Sequence, residues 1–209
     1  MRQGYNKIGI LGGTFNPVHC GHLIIAEAVR EGYSLDTVLF IPSGQPPHKP
    51  DGEVIDGEHR YEMVRRAVAS NRFFEASRSE IDWKGYTYTV NTLMALGEKY
   101  GADTRLYFII GADVIPELTT WREFEKVFGL CEFIAVLRPG NERTAFEEGI
   151  RRLAEKYAAR IHSIEAPLVD ISSTSIRERC AGGKSIKYLV PEGVEEYIHS
   201  EGLYRKIKR

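Results

Sequence analysis

The sequence predicts an α/β fold, a doubly wound parallel sheet with helices on both faces. Two observations carry that prediction: short, wholly apolar runs suited to buried strands recur along the chain, and segments with helical spacing separate nearly every run from the next. A third is the glycine or proline that ends most of those runs, which gathers the loops at the carboxyl ends of the strands, where open sheets of this kind bind ligands.

Taken in order, Ile8, Ile10 and Leu11 suit a first buried strand, Gly12 and Gly13 let the backbone turn and approach a ligand, and Leu23 to Arg30 continue as a helix. Thr37 to Ile41 is a second strand, ended by Pro42 and by a loop that Pro46, Pro47 and Pro50 stiffen around His48 and Lys49. Tyr61, Val64 and Val68 give helical spacing from Gly57 to Ser70, Phe73 to Ile81 alternates polar positions like a strand, and Thr87 to Tyr100 resumes helix. Leu106 to Ile110 is apolar throughout, broken by Gly111 and followed by Asp113; Phe133 to Leu137 repeats the pattern and stops at Arg138-Pro139-Gly140. Thr144 to Arg160 is helical, Ile161 to Ile164 is a short strand, and Ile176 to Arg179 begins another helix. Pro191 to Tyr204 reads as a final helix, with Pro191 near its first turn and Val194, Tyr197 and Ile198 on its apolar face. With neither repeat nor linker, residues 1–209 are expected to form one domain, on which a helical portion from about residue 172 onward packs.

Charge narrows the function. Among 209 residues, 28 basic and 29 acidic side chains leave a formal net charge of −1, so no global field draws nucleic acid or an anionic membrane, and any anion must be bound locally. The basic tail Arg205 to Arg209 reads as a solvated terminus. Apolar runs fall far short of the roughly 20 residues of a membrane span, and Met1 to Lys7 lacks the apolar core of a signal peptide, so a cytoplasmic protein is expected. Cys20, Cys131 and Cys180 are odd in number and form no CxxC pair, which indicates neither a disulfide framework nor a zinc site. No motif fixes the subunit number, and a homo-oligomer stays open.

The chemistry concentrates at residues 12–22, Gly-Gly-Thr-Phe-Asn-Pro-Val-His-Cys-Gly-His. A helix that follows a glycine turn offers unpaired N–H groups and a positive dipole end to an anion, and His19 and His22, three residues apart, can face it together. The segment is neither a GxGxxG fingerprint nor a GxxxxGK[ST] loop. A helix-capping histidine beside a surface one would also explain the pair, so a second feature is needed. Residues 168–177 supply it: Ser172, Ser173 and Thr174 put hydroxyls where a helix begins, with Arg177 one turn inside. The hydroxyls alone are ordinary N-caps, whereas an arginine there opposes the helix dipole by about a few tenths of a kcal/mol unless an anion sits nearby. Two helix N-termini are therefore expected to face one triphosphate.

These stretches, with PPHK at 46–49, YTVNTL at 88–93, FIIGAD at 108–113, TTW at 119–121, RPG at 138–140 and ISSTSIR at 171–177, resemble the HxGH nucleotidyltransferases over nearly the whole chain, and within them the nicotinate-nucleotide adenylyltransferases. The resemblance implies a Rossmann-like nucleotidyltransferase fold and transfer of AMP from ATP to nicotinate mononucleotide, giving deamido-NAD and pyrophosphate. It implies that His19 and His22 contact the ATP phosphates, that Ser173, Thr174 and Arg177 hold the β and γ groups, and that Thr14, beside Gly12, Gly13 and Phe15, lies near the reacting phosphate. Gly111 and Asp113 match the position that meets the adenosine ribose, with a helix cap as the lesser alternative for Asp113. On the acceptor side the match points to Asn16, Lys49, Thr89, Trp121 and Arg138, with Trp121 offering a flat face to a pyridine ring and backbone N–H groups near Thr89 and Trp121 receiving its carboxylate. Trp121 as packing and Arg138 as a strand-end residue remain open. Magnesium is expected to arrive with ATP, held mainly by phosphate oxygens and water, and no protein ligand for it is named. Asn16 and Asn91 stand where the family often has Asp, which removes an anionic charge beside the phosphates. The competing readings are a transferase that uses nicotinamide mononucleotide or another phosphorylated acceptor, and a non-catalytic nucleotide sensor.

Overall fold

A computed structural model describes residues 4–45, 54–137, 143–167 and 169–205. Lys49 and Arg138, with the PPHK and RPG stretches that contain them, lie outside the described residues. In chain order the elements are β1 (Lys7–Gly13), α1 (Cys20–Tyr33), β2 (Thr37–Pro42), α2 (Gly57–Val68), β3 (Phe74–Ala76), α3 (Thr89–Tyr100), β4 (Arg105–Gly111), a 3₁₀ segment (Ala112–Thr120), α4 (Phe124–Leu130), β5 (Glu132–Leu137), α5 (Arg143–Tyr157), β6 (Ile161–Glu165), α6 (Ser173–Ala181) and α7 (Glu192–Ser200). The strands form one parallel sheet in the order β3-β2-β1-β4-β5-β6.

Strict alternation along the strands sorts side chains into two cores, one on each face. Leu11, Val38, Phe40, Tyr107, Ile109, Ile134 and Val136 join the first, which α1, α2, α6 and α7 cover through Val29, Met63, Val64, Ile176, Val194 and Ile198. Ile8, Ile10, Leu39, Ile41, Phe108, Ile110, Phe133 and Ala135 join the second, under α3, α4 and α5. The order reverses at β1, which pairs with β2 on one side and β4 on the other, so the crevice between the carboxyl ends of β1 and β4 is the switch point of the sheet.

The expected strand over Phe73–Ile81 shrinks to the three residues of β3. Ser77 N–H still bonds the Phe40 carbonyl at 2.9 Å, but the Ser77 and Ser79 hydroxyls then bond each other at 3.1 Å, and Asp82 N–H closes a turn onto Arg78. Polar side chains that offer the backbone local partners compete with a ladder, and here they end it. The helix expected to run to Tyr204 stops at Ser200, where Gly202 takes φ +63° and Leu203 N–H returns to the Ile198 carbonyl at 3.0 Å. The 3₁₀ segment and α4 have no counterpart in the sequence pattern: Pro116 lies inside the first, and the second spans only seven residues.

Candidate active site

Between β1 and α1 the backbone turns through residues 14–18. Phe15 holds a left-handed φ of +49°, a strain of about 1–3 kcal/mol, because its ring is driven into the core, edge-on to His22 with centroids 5.0 Å apart. His19 is the N-cap of α1, and His22 Nδ1 accepts the His19 N–H at 3.2 Å. An accepting Nδ1 carries no proton, which leaves Nε2 as the donating atom of that ring. The two imidazoles stack at 3.7 Å with 28° between planes. A Cβ on Gly21 would stand 3.1 Å from His19 Nδ1, so the glycine of the motif is what lets the His19 ring lie against the first turn of α1.

Two cavities open at the switch point. The larger, about 520 Å³, is floored by Leu11–Gly13 and Phe108–Gly111 and walled by Thr14, Ser43, Glu80, Thr87–Thr89, Trp121 and Arg122. The smaller, about 250 Å³, lies between His19, Gly21, Leu137, Ala166 and Val169–Ser173. His22, Ile25 and Val136 line both, so the chambers meet at the second histidine. The N-termini of α1 and α6 are thereby brought to one chamber.

The start of α6 is fastened to the β1–α1 turn. Ser172 Oγ caps α6 by accepting the Ser175 N–H at 3.1 Å, and Ser173 Oγ donates to the Pro17 carbonyl at 2.8 Å. Arg177 Nη1 donates to the Asn16 carbonyl at 2.9 Å and Nη2 to Thr174 Oγ1 at 3.2 Å. Asn16, expected at the acceptor, is instead 3 % exposed, outside the wall of the larger cavity, and its Oδ1 accepts the Tyr204 hydroxyl at 2.9 Å. It is a tether between the ends of the chain, and its uncharged amide suits that burial better than a carboxylate would.

Trp121 lines the larger cavity and packs edge-on to Phe108 and Phe133, with centroids 5.7 and 6.3 Å away. Thr89 and Tyr88 bring the N-terminus of α3 to the same wall, where the N–H groups of Thr89 and Val90 come too early in the helix for an intrahelical acceptor. Gly111 reaches the larger cavity, whereas the exposed Asp113, its carboxylate folded back over Gly111, lines a neighbouring concavity. Among the described residues no group of three or more His, Cys, Asp or Glu is disposed to hold a metal ion.

Three residues at the site escaped the sequence reading. Arg60 on α2 is 2 % exposed and donates to four loop carbonyls; Glu80 lines the larger cavity; and the buried Ser43 hydroxyl has no hydrogen-bond partner among the described residues. Arg60 left one signal, since it shares the helical face of Met63, Val64 and Ala67, an apolar stripe on which an arginine is out of character. Glu80 was hidden by the overextended strand.

Comparison with known proteins agrees with this geometry. Residues 10–179 match the family described as Cytidylyltransferase-like. A probable nicotinate-nucleotide adenylyltransferase of Moorella thermoacetica is 51 % identical over 95 % of this chain and 92 % of its own length, and one from a Thermoanaerobacter species is 48 % identical over 96 % and 95 %. The solved structure of Plasmodium falciparum nicotinic acid mononucleotide adenylyltransferase complexed with NaAD shares the fold at a TM-score of 0.76 and 18 % identity, over 95 % of this chain and 97 % of that one. Motifs, fold and relatives converge: the chain belongs to the nicotinate-nucleotide adenylyltransferases of the cytidylyltransferase-like family.

Proposed function

We propose that the protein transfers AMP from ATP to nicotinate mononucleotide, releasing pyrophosphate and forming deamido-NAD for NAD biosynthesis. The observation that carries this reading is the pair of chambers that share His22: one suits an adenosine, the other a pyridine mononucleotide, and the reacting phosphates fall at their junction. The acceptor phosphate is already nucleophilic. Its oxygen bonds the α-phosphorus of ATP as the bond from that phosphorus to the pyrophosphate oxygen breaks, without a covalent enzyme intermediate. The protein's task is to hold the two in line, which supplies about 7–11 kcal/mol, and to neutralise the charge that gathers on the leaving group.

In this reading His19 and His22 donate to phosphate oxygens, with the fixed tautomer of His22 presenting Nε2–H. Thr14 and the glycines before it bound the reacting phosphate, while Thr174 and Arg177 face the β and γ groups with the donors that the Asn16–Pro17 tether leaves over, and Ser173, its hydroxyl proton spent on Pro17, offers its backbone N–H at the start of α6. Gly111 borders the larger chamber, whereas Asp113, which lines a neighbouring concavity outside both chambers, is given no contact in this reading. Trp121 stacks on the pyridine, and the α3 N-terminus receives its carboxylate, which an amide cannot match. Imidazole N–H and guanidinium donors bind phosphate and not magnesium, so Mg²⁺ would arrive with ATP, held mainly by phosphate oxygens and water, and would neutralise phosphate charge.

Pyrophosphate release from ATP, measured against a panel of acceptors, tests the assignment. Nicotinate mononucleotide is expected to give the highest kcat/KM. An amide acceptor preferred by more than tenfold, about 1.4 kcal/mol, would overturn the acceptor, and ATP binding without turnover on any acceptor would make the protein a sensor.

A further inference from the structure

We propose that Arg60 and Glu80 act together as a positioning pair that locks the β1 turn to the acceptor wall, so that ATP and its partner meet in register. The inference rests on the reaction proposed above and adds two residues to it.

Arg60 appears in no ion pair among the described residues. Its guanidinium donates to carbonyls alone: Nε to Ile55 at 3.0 Å, Nη1 to Thr14 at 2.9 Å and Ser43 at 2.6 Å, Nη2 to Gly44 at 3.1 Å. All of these carbonyls belong to loops, and Thr14 and Ser43 line the larger cavity. A buried cation costs several kcal/mol of hydration, and an apolar residue would fill the same space without that cost, so its value to the fold is the planar fork that reaches separate loops at once.

Glu80 works from the opposite side of the same wall. Its Oε1 accepts the Thr92 hydroxyl at 2.7 Å, which fastens it to α3. Burial pushes its carboxyl above the usual range, opposed by hydrogen bonds from Thr92 and Thr87, the Gly44 N–H and the charge of Arg60. Gly44 is the hinge pin: its carbonyl is held by Arg60, and any Cβ on it would collide with the Glu80 carbonyl. The β1 turn, the end of β2 and the start of α3 therefore share one polar cluster. The adenosine chamber is lined instead from α1, β5 and the start of α6.

The test uses Arg60→Lys, which keeps the charge but not the fork, and Glu80→Gln, which keeps the shape but not the charge. Each is expected to fold, to lose about 10- to 100-fold in kcat, the scale of a misplacement of roughly 1 Å, and to raise KM for nicotinate mononucleotide at least about fivefold while that for ATP moves less than about twofold. Amide hydrogen exchange in the ligand-free protein is expected to rise together in residues 13–15, 43–45 and 87–92. Equal rises in both KM values, an unchanged kcat, or faster exchange confined to α2 would overturn the pairing. Wild-type protein that releases no pyrophosphate would sink the proposed reaction instead, leaving the exchange pattern to decide the pair on its own.

Discussion

His22 serves two ends at once: Nδ1 accepts the N–H of His19 at the head of α1, and Nε2 is left to donate where the chambers meet. Losing one preorganised donor to a developing phosphate charge is worth about 100-fold or more in kcat, and losing a cap about 1 kcal/mol in stability. His22→Ala is therefore expected to lose both, in pyrophosphate release and in urea unfolding, and His19→Ala to lose turnover on the same scale. Turnover within tenfold of wild type in both variants would remove the histidines from the phosphate site. At this scale the histidine pair was legible because spacing and glycines report on backbone directly. The hydroxyls and guanidinium of residues 172–177 were legible as a cluster, but their partners were not: Ser173 and Arg177 spend donors on Pro17 and Asn16, across more than 150 residues of chain. No local pattern encodes which carbonyl an arginine will find.

Between elements, the decisive contact joins the turn after β1 to the segment after α7. Tyr204 delivers its hydroxyl to Asn16 Oδ1, and burial holds that phenol far above its ordinary titration range, so it stays a donor at any working pH. Tyr204→Phe is expected to cost about 1 kcal/mol in denaturant unfolding and to raise KM for ATP more than for the acceptor, because the turn it secures carries His19. Unchanged stability together with unchanged KM values would reduce the contact to surface decoration. Strands were the best-read elements, since two-sided burial leaves continuous apolar runs such as Leu106–Ile110 and Phe133–Leu137. The edge strand β3 and the 3₁₀ segment were the worst read. One has polar residues whose alternation imitates a strand, and the other, with Pro116 inside it, follows neither the helical period nor the strand period.

For the molecule as a whole, the sheet separates two cores, and Cys131 lies deep in the second at 2 % exposure. Burial pushes its thiol from 9.0 up to about 12. Between those values the unfolded chain gives up this proton before the folded one, so stability is intact below pH 9 and declines as pH rises toward 12, by up to about 1.4 kcal/mol per pH unit from this group. Thermal unfolding is expected to show that decline and Cys131→Ala a shallower one; parallel slopes would assign the effect to other groups. The alternation of runs and helices disclosed the whole architecture, yet it said nothing of how the two ends of the chain join. Pro17, Asn16 and Tyr204 answer that, through bonds that bridge 156, 161 and 188 residues. A growing chain therefore makes the turn at residues 14–18 about 150 residues before Ser173, the first of the residues that brace it. The strands can pair as they emerge, whereas the turn at residues 14–18 gains its bonds to Ser173, Arg177 and Tyr204 only once those residues exist, so truncation before residue 173 is expected to leave that turn unbraced.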